Sequence, residues 1–223
     1  MTSAEWEKLV CGLIAGWFLA QFTTFTVWRF KAWRIKRILK EELVDIRAQV
    51  ERVLWGTMRN LQAFGANVLE PGSTMPVSDP IFKAHYKDAV LHLSREERLN
   101  YQLIHGHVDQ LNDLAGQKDR LNSSAWKEYQ ENEEAGSYAL QMIEYRKLLR
   151  TCYVLCFVID FHIRSHLESD RPSLAFGDAK HQRYLEMMDE ANKQADALIE
   201  AGKSMDPSMF DGPGTFSVES AAQ

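Results

Sequence analysis

The stretch LVCGLIAGWFLAQFTTFTVW, residues 9–28, decides how the rest of the chain is read. It runs for 20 residues without a charge. At about 1.5 Å per residue, a helix of that length spans ~30 Å, the hydrocarbon thickness of a bilayer. Nine of its residues are Leu, Ile, Val or Phe. Each of these favours insertion by about 0.3 to 0.6 kcal/mol, and no central Lys, Arg or Asp imposes its penalty of roughly 2.5 to 3.5 kcal/mol. Trp6 at one end and Trp28 and Trp33 at the other stand where interfacial aromatics belong. A transmembrane helix is the expectation.

The flanks set its direction. Arg29, Lys31, Arg34, Lys36, Arg37 and Lys40 follow the apolar run with no acid among them. By the positive-inside rule this juxtamembrane segment, residues 29–40, stays in the cytoplasm against the lipid surface, and residues 1–8 form a short non-cytoplasmic N-terminus. A cleaved signal peptide fits less well. Glu5-Trp6-Glu7-Lys8 is not a positive leader, the apolar run exceeds the usual 7–15 residues or so, and no small-residue cleavage site follows. Within the anchor, Gly12, Gly16 and Ala20 recur every four residues, a small-residue stripe along which two helices can pack closely. Such spacings also arise by chance in membrane helices, so self-association through this face is one reading of two.

The net charge of -5 conceals an asymmetry. Residues 1–40 hold seven Lys/Arg and two Glu, whereas the remainder holds 19 basic and 29 acidic side chains. Phosphates would repel so acidic a body, which argues against nucleic acid as a partner. Cys11, Cys152 and Cys156 are too few and too apolar in setting for a disulfide framework, and they read as reduced thiols.

Beyond the anchor the periodicity is helical. Leu43, Val50, Thr57 and Phe64 recur every seven residues, with Ile46, Val53 or Leu54, Leu61 and Val68 in the complementary positions. This seam demands a partner helix, in the manner of a coiled coil. No strong breaker separates Trp28 from Leu43, which permits one continuous helix. A loop over residues 70–78 precedes Asp79-Pro80, an N-cap and first-turn proline opening a helix of about three turns. Ser94-Arg-Glu-Glu97 is a capping box that starts another. Residues 116–124 look like a turn. A long helix is then expected from about Ser124 to Leu167, with Tyr138, Tyr145, Cys152, Ile159 and His166 in one column and Met142, Leu149, Cys156 and Ile163 in the other. Apolar nearly all round, it reads as the central helix of a bundle. After a loop at 171–177, Asp178 can cap a last amphipathic helix ending near Gly202, and residues 204–223 read as a disordered tail. The fold class is therefore all-α: an N-terminal transmembrane helix at 9–28, then an antiparallel cytoplasmic bundle of about five helices over 41–203.

Four groups bear on chemistry. Cys152, Cys156, His162 and His166 have a zinc-like order, but one helix spreads them over about 21 Å, so they cannot converge on one ion. His105 and His107, two apart, point to different faces, with His85 and His92 near in sequence. Asp160 beside His162 suggests an acid–base pair, although an Asp there more often meets an Arg or Lys of a neighbouring helix. Glu128, Glu131, Glu133 and Glu134 read as a solvated face. No catalytic, cofactor or metal residue is assigned, and no cofactor is expected.

Asp79-Pro-Ile-Phe-Lys-Ala-His-Tyr86, with Leu93, Leu99-Asn-Tyr101 and Leu111-Asn112, resembles a pattern in uncharacterised bacterial helical proteins with an N-terminal membrane anchor. The resemblance covers about a fifth of the chain and implies the same architecture, with no activity attached. The expected role is a membrane-tethered scaffold or interaction protein of a bacterial inner membrane. Lipid, a second copy and an unidentified protein are its expected partners. A membrane-linked sensor or enzyme with a ligand or metal near Cys152, Asp160 and His162 is the first alternative. A phage-encoded inner-membrane factor acting on a host process is the second.

Overall fold

A computed structural model describes residues 3–70, 75–131, 138–168, 179–210 and 216–217. Asp178, the loop at 171–177, Glu133 and Glu134, and much of the loop at 70–78 and of the tail lie outside the described residues. Among those described the fold is all-α, with five helices: α1 Ser3–Gly65, α2 Pro80–Ala89, α3 Arg95–Glu131, α4 Tyr138–Glu168 and α5 Ala179–Gly202. The permitted continuity is realised. The apolar run and the heptad seam form one 63-residue helix with no break between Trp28 and Leu43.

The chain divides into two compact units. The first comprises residues 1–42 and 80–93, and the second 43–79 and 94–223. In the first unit the start of α2 is held by a residue that sequence proximity does not suggest. Glu42 accepts the backbone N–H of Ile81 at 2.6 Å and of Phe82 at 2.8 Å. Pro80 has no N–H to satisfy, so the carboxylate takes the next two donors that a helix start leaves without intrahelical partners. Its negative charge also sits favourably at the positive end of the helix dipole.

In the second unit α4 is the hub. Phe64 of α1 lies 6.1 Å from Tyr145, ring to ring, and Arg47 bonds Asp160 at 2.7 Å, so α1 runs antiparallel to α4. Gln141 bonds Glu128 near one end and His166 meets Tyr101 edge-on near the other, which sets α3 antiparallel as well. Tyr153 bonds Gln194 while Phe161 meets Tyr184, giving α5 the same sense as α1. Most of the expected columns are buried: Leu43, Ile46, Val50, Val53, Thr57 and Leu61 on α1, and Tyr145, Leu149, Cys152, Cys156, Ile159, Ile163 and His166 on α4. Phe64 and Met142 are half-buried, Val68 lies beyond the end of α1, and the side chain of Tyr138 is outside the described residues. Thr57 satisfies its buried hydroxyl by donating to the Val53 carbonyl at 2.8 Å. Where α1 and α5 cross, a Cβ added to Gly65 would fall on the Ile199 carbonyl, and one added to Gly202 on the Gln62 carbonyl. Glycine at both positions is what permits so close an approach.

The capping box forms as expected, with Ser94 N–H donating to Glu97 at 2.7 Å and Glu97 N–H to Ser94 Oγ at 3.1 Å. The turn expected over 116–124 does not exist, and α3 passes through it to Glu131. The physical reason is a buried face written in polar residues. Lys118, Asn122 and Ala125 are all buried, and Asn122 donates from Nδ2 to the Glu70 carbonyl at 2.9 Å. The helix expected from Ser124 accordingly begins later, at Tyr138. The segment after Ser204, expected to lack structure, contains a 3-10 turn over Pro207–Phe210 with Phe210 buried against Ala63, Ala66 and Val68. Val68–Leu69 (β1) and Phe216–Ser217 (β2) pair antiparallel, too briefly to change the fold class.

Glu42→Ala removes both acceptors at the start of α2 and is expected to cost about 1 to 2 kcal/mol. Hydrogen exchange checks this. The Ile81 and Phe82 amides lose protection in Glu42→Ala and keep part of it in Glu42→Gln; unchanged exchange would contradict the capping role.

Candidate functional site

The features that the sequence assigns to a membrane lie on the first half of α1. Every described residue from Val10 to Phe30 is exposed, including Leu13, Trp17, Phe18, Phe22 and Phe25. The hydroxyls in this run are satisfied within the helix. Thr23 donates to the Leu19 carbonyl at 2.8 Å, Thr24 to Ala20 at 2.9 Å and Thr26 to Phe22 at 2.8 Å. Backbone-bonded hydroxyls of this kind leave no exposed donor to be desolvated in hydrocarbon. Gly12, Gly16 and Ala20 are exposed, with open space around both glycines. Of the six cations, Arg29, Lys31, Arg34, Arg37 and Lys40 are exposed and Lys36 is half-buried. Arg37 bonds Glu41 at 2.9 Å and lies 5.7 Å above the Trp33 ring, an exposed pairing that orders the collar more than it stabilises it.

The second unit carries the polar groups singled out above. His105 and His107 do diverge. His105 Nδ1 meets Asp79 Oδ2 at 3.1 Å in the interior, while His107 stacks on His162 with ring centroids 5.6 Å apart. His162 also touches Phe161 and Tyr184. Burial, then the neighbouring His107 and Lys180, hold the His162 imidazole down to about 4. Burial likewise lowers His107, opposed by a hydrogen bond with Gln110. Both rings are therefore neutral at pH 7.

Cys152 and Cys156 are buried. Burial, reinforced by Asp119 and opposed by Lys118, pushes the Cys152 thiol up to about 11, and burial with Cys152 nearby pushes Cys156 higher still. Thiols so protonated are packing groups, since the thiolate is the nucleophile and the metal ligand. Asp160 takes Arg47 Nε at 2.7 Å and Arg164 Nε at 2.8 Å, so its partners are guanidinium groups. Among the described residues no three His, Cys, Asp or Glu side chains are grouped to hold a metal ion.

Sequence reading missed a groove of about 660 Å³, walled by His107 of α3, Ile143, Arg146 and Arg150 of α4, and Tyr184 and Met188 of α5. Arg146 and Arg150 both reach Asp196, at 3.3 and 3.0 Å. The lining mixes apolar side chains with the cations Arg146, Lys147 and Arg150, a surface suited to an amphipathic, negatively charged occupant. The i, i+4 spacing of Arg146 and Arg150 is its only trace in the sequence.

No family model matches this chain, and neither a curated protein nor a solved structure matches it. The resemblance to anchored bacterial helical proteins rests on the residues quoted for it.

A neutral buried His162 makes the fold acid-labile. Its ordinary value is 6.5, so below that pH the unfolded chain takes up a proton that the folded chain refuses. Stability is expected to fall as pH drops from about 6.5 to about 4 and to lose no more from this group below that, by on the order of 3 kcal/mol. Denaturant titrations of the native chain and His162→Phe at both ends of that range check this. The variant should lose less stability; equal losses would contradict it.

Proposed function

We propose that the chain is a membrane-tethered helical interaction protein, anchored by the first half of α1 in a bacterial inner membrane with the bundle on the cytoplasmic side. The supporting observation is the exposed apolar surface of that half-helix. It contains an 18-residue window of mean hydropathy 1.5, none of it buried. An apolar surface so extensive does not stay in water on a soluble monomer. Among the described residues, none buries it.

The mechanism is confinement. A tether converts a bimolecular search into a local one, raising the effective concentration of the acidic bundle for partners held at the same membrane. Gly12, Gly16 and Ala20 lie open along the anchor, which suits a second copy of the same helix. The cations Arg146 and Arg150 in the groove lining support a second reading, in which the bundle also takes an anionic ligand and acts as a membrane-linked sensor. The buried, protonated Cys152 and Cys156 serve packing in either case.

The tether is tested by alkaline carbonate extraction of membranes expressing the full chain, with reporter fusions at the C-terminus. Retention in the pellet, intact mass at the N-terminus and a cytoplasmic reporter are expected. A soluble product, or one trimmed after the apolar run, would overturn the reading. Crosslinking on Gly16→Ile tests the copy-to-copy contact, with loss of the dimer expected and an unchanged dimer counting against it.

A further inference from the structure

The end of α2 returns to the level of the anchor's last tryptophan. The 3-10 turn Val90–His92 closes α2, and the His92 ring meets Trp28 edge-on with centroids 4.7 Å apart. Between this turn and α1 lies a cleft of about 410 Å³, lined by Trp28, Arg29, Trp33, Lys36, Leu91 and His92. Leu91 at its mouth is 84% exposed, and Trp28 and Trp33 are 50% and 56% exposed. A lone exposed leucine needs no explanation. One fixed beside two exposed tryptophans, at the end of an apolar helix, forms a patch continuous with the anchor.

The charge around this patch is mostly positive. Residues 29–42 and 80–93 carry eight Lys/Arg and three Asp/Glu. Two of the three acids are engaged, Glu41 with Arg37 and Glu42 with the start of α2. Lys83 and Lys87 on α2 are exposed, as is Asp88, the third acid. Exposed tryptophan and leucine bordered by cations is the composition of a surface seated at the headgroup level.

We propose that the cleft between α1 and the Val90–His92 turn seats the headgroup of an anionic phospholipid, with Leu91 entering the acyl boundary beside Trp28. The inference rests on the tether reading and adds to it a second membrane contact, 63 residues along the chain from Trp28. Arg29 and Lys36 face the phosphate, and the Trp28 and Trp33 rings line the apolar side. An unidentified protein would need no such match to the bilayer's own polarity gradient.

The full chain carrying Cys11→Ser and Leu91→Cys, labelled at residue 91 with an environment-sensitive fluorophore, tests this. The remaining thiols, Cys152 and Cys156, are buried and protonated, so the label goes to residue 91. The protein is reconstituted into vesicles of phosphatidylcholine with or without phosphatidylglycerol, and carbonate extraction is run on the same samples. Blue-shifted emission, quenched by spin-labelled lipid, is expected with phosphatidylglycerol. The docked-to-undocked ratio should fall about fivefold for each of Arg29→Gln and Lys36→Gln. Water-like emission on carbonate-resistant protein overturns the inference and leaves the tether standing. Equal quenching with phosphatidylcholine alone overturns the anionic headgroup. Release by carbonate overturns the tether and the inference with it.

Discussion

Half of α1 carries apolar side chains that no other part of the described chain covers, and the other half supplies one wall of a core. A helix can do both because its backbone bonds are closed within the segment, whatever surrounds it. Thr23, Thr24 and Thr26 extend that closure to the side chains by returning their hydroxyls to carbonyls one turn back. The same 63-residue element therefore presents lipid-compatible surface over its first turns and the Leu43-to-Leu61 seam over its last.

Beyond the seam, stability concentrates on α4. It meets α1, α3 and α5, and its two apolar columns place Tyr145, Leu149, Ile159 and Ile163 among the most buried side chains. Burying that much aliphatic and aromatic surface dominates the energetics, at roughly 25 cal/mol per Å² of apolar area. Two polar pairings reach into this interior, Asp79 on His105 and Asn122 on the Glu70 carbonyl. Asp160 at the edge is held by two guanidinium groups. Such groups specify which helices meet, while contributing less energy than the apolar columns do.

Legibility tracked the range of the interaction. The apolar run, the seam and the Ser94–Glu97 capping box are local patterns, and each appears where the sequence places it. The start of α2 was legible as a position and not as a mechanism, because its acceptor, Glu42, stands 39 residues from Ile81. The run from Gly116 to Ser124 misled for a related reason. Its buried positions, Lys118 and Asn122, are polar, so hydrophobic periodicity faded while tertiary contacts kept the helix intact. Phe210 was discounted because a glycine-rich, polar setting masked one aromatic with a pocket to fill. The groove beside Arg146 and Arg150 drew on three helices, and only their packing order reveals it. Among the chemistry-bearing residues, spacing alone sufficed to separate His105 from His107.

The central claim is that the uncovered half of α1 lies in a bilayer and continues without a break into the bundle. Amide hydrogen exchange on the full chain in lipid nanodiscs reads both parts together, since an amide exchanges only where water and a broken hydrogen bond coincide. Slow exchange is expected without interruption from Val10 through Leu61, including the stretch from Arg34 to Leu43. Fast exchange over Val10 to Trp28, or a rapidly exchanging hinge before Leu43, would contradict the account.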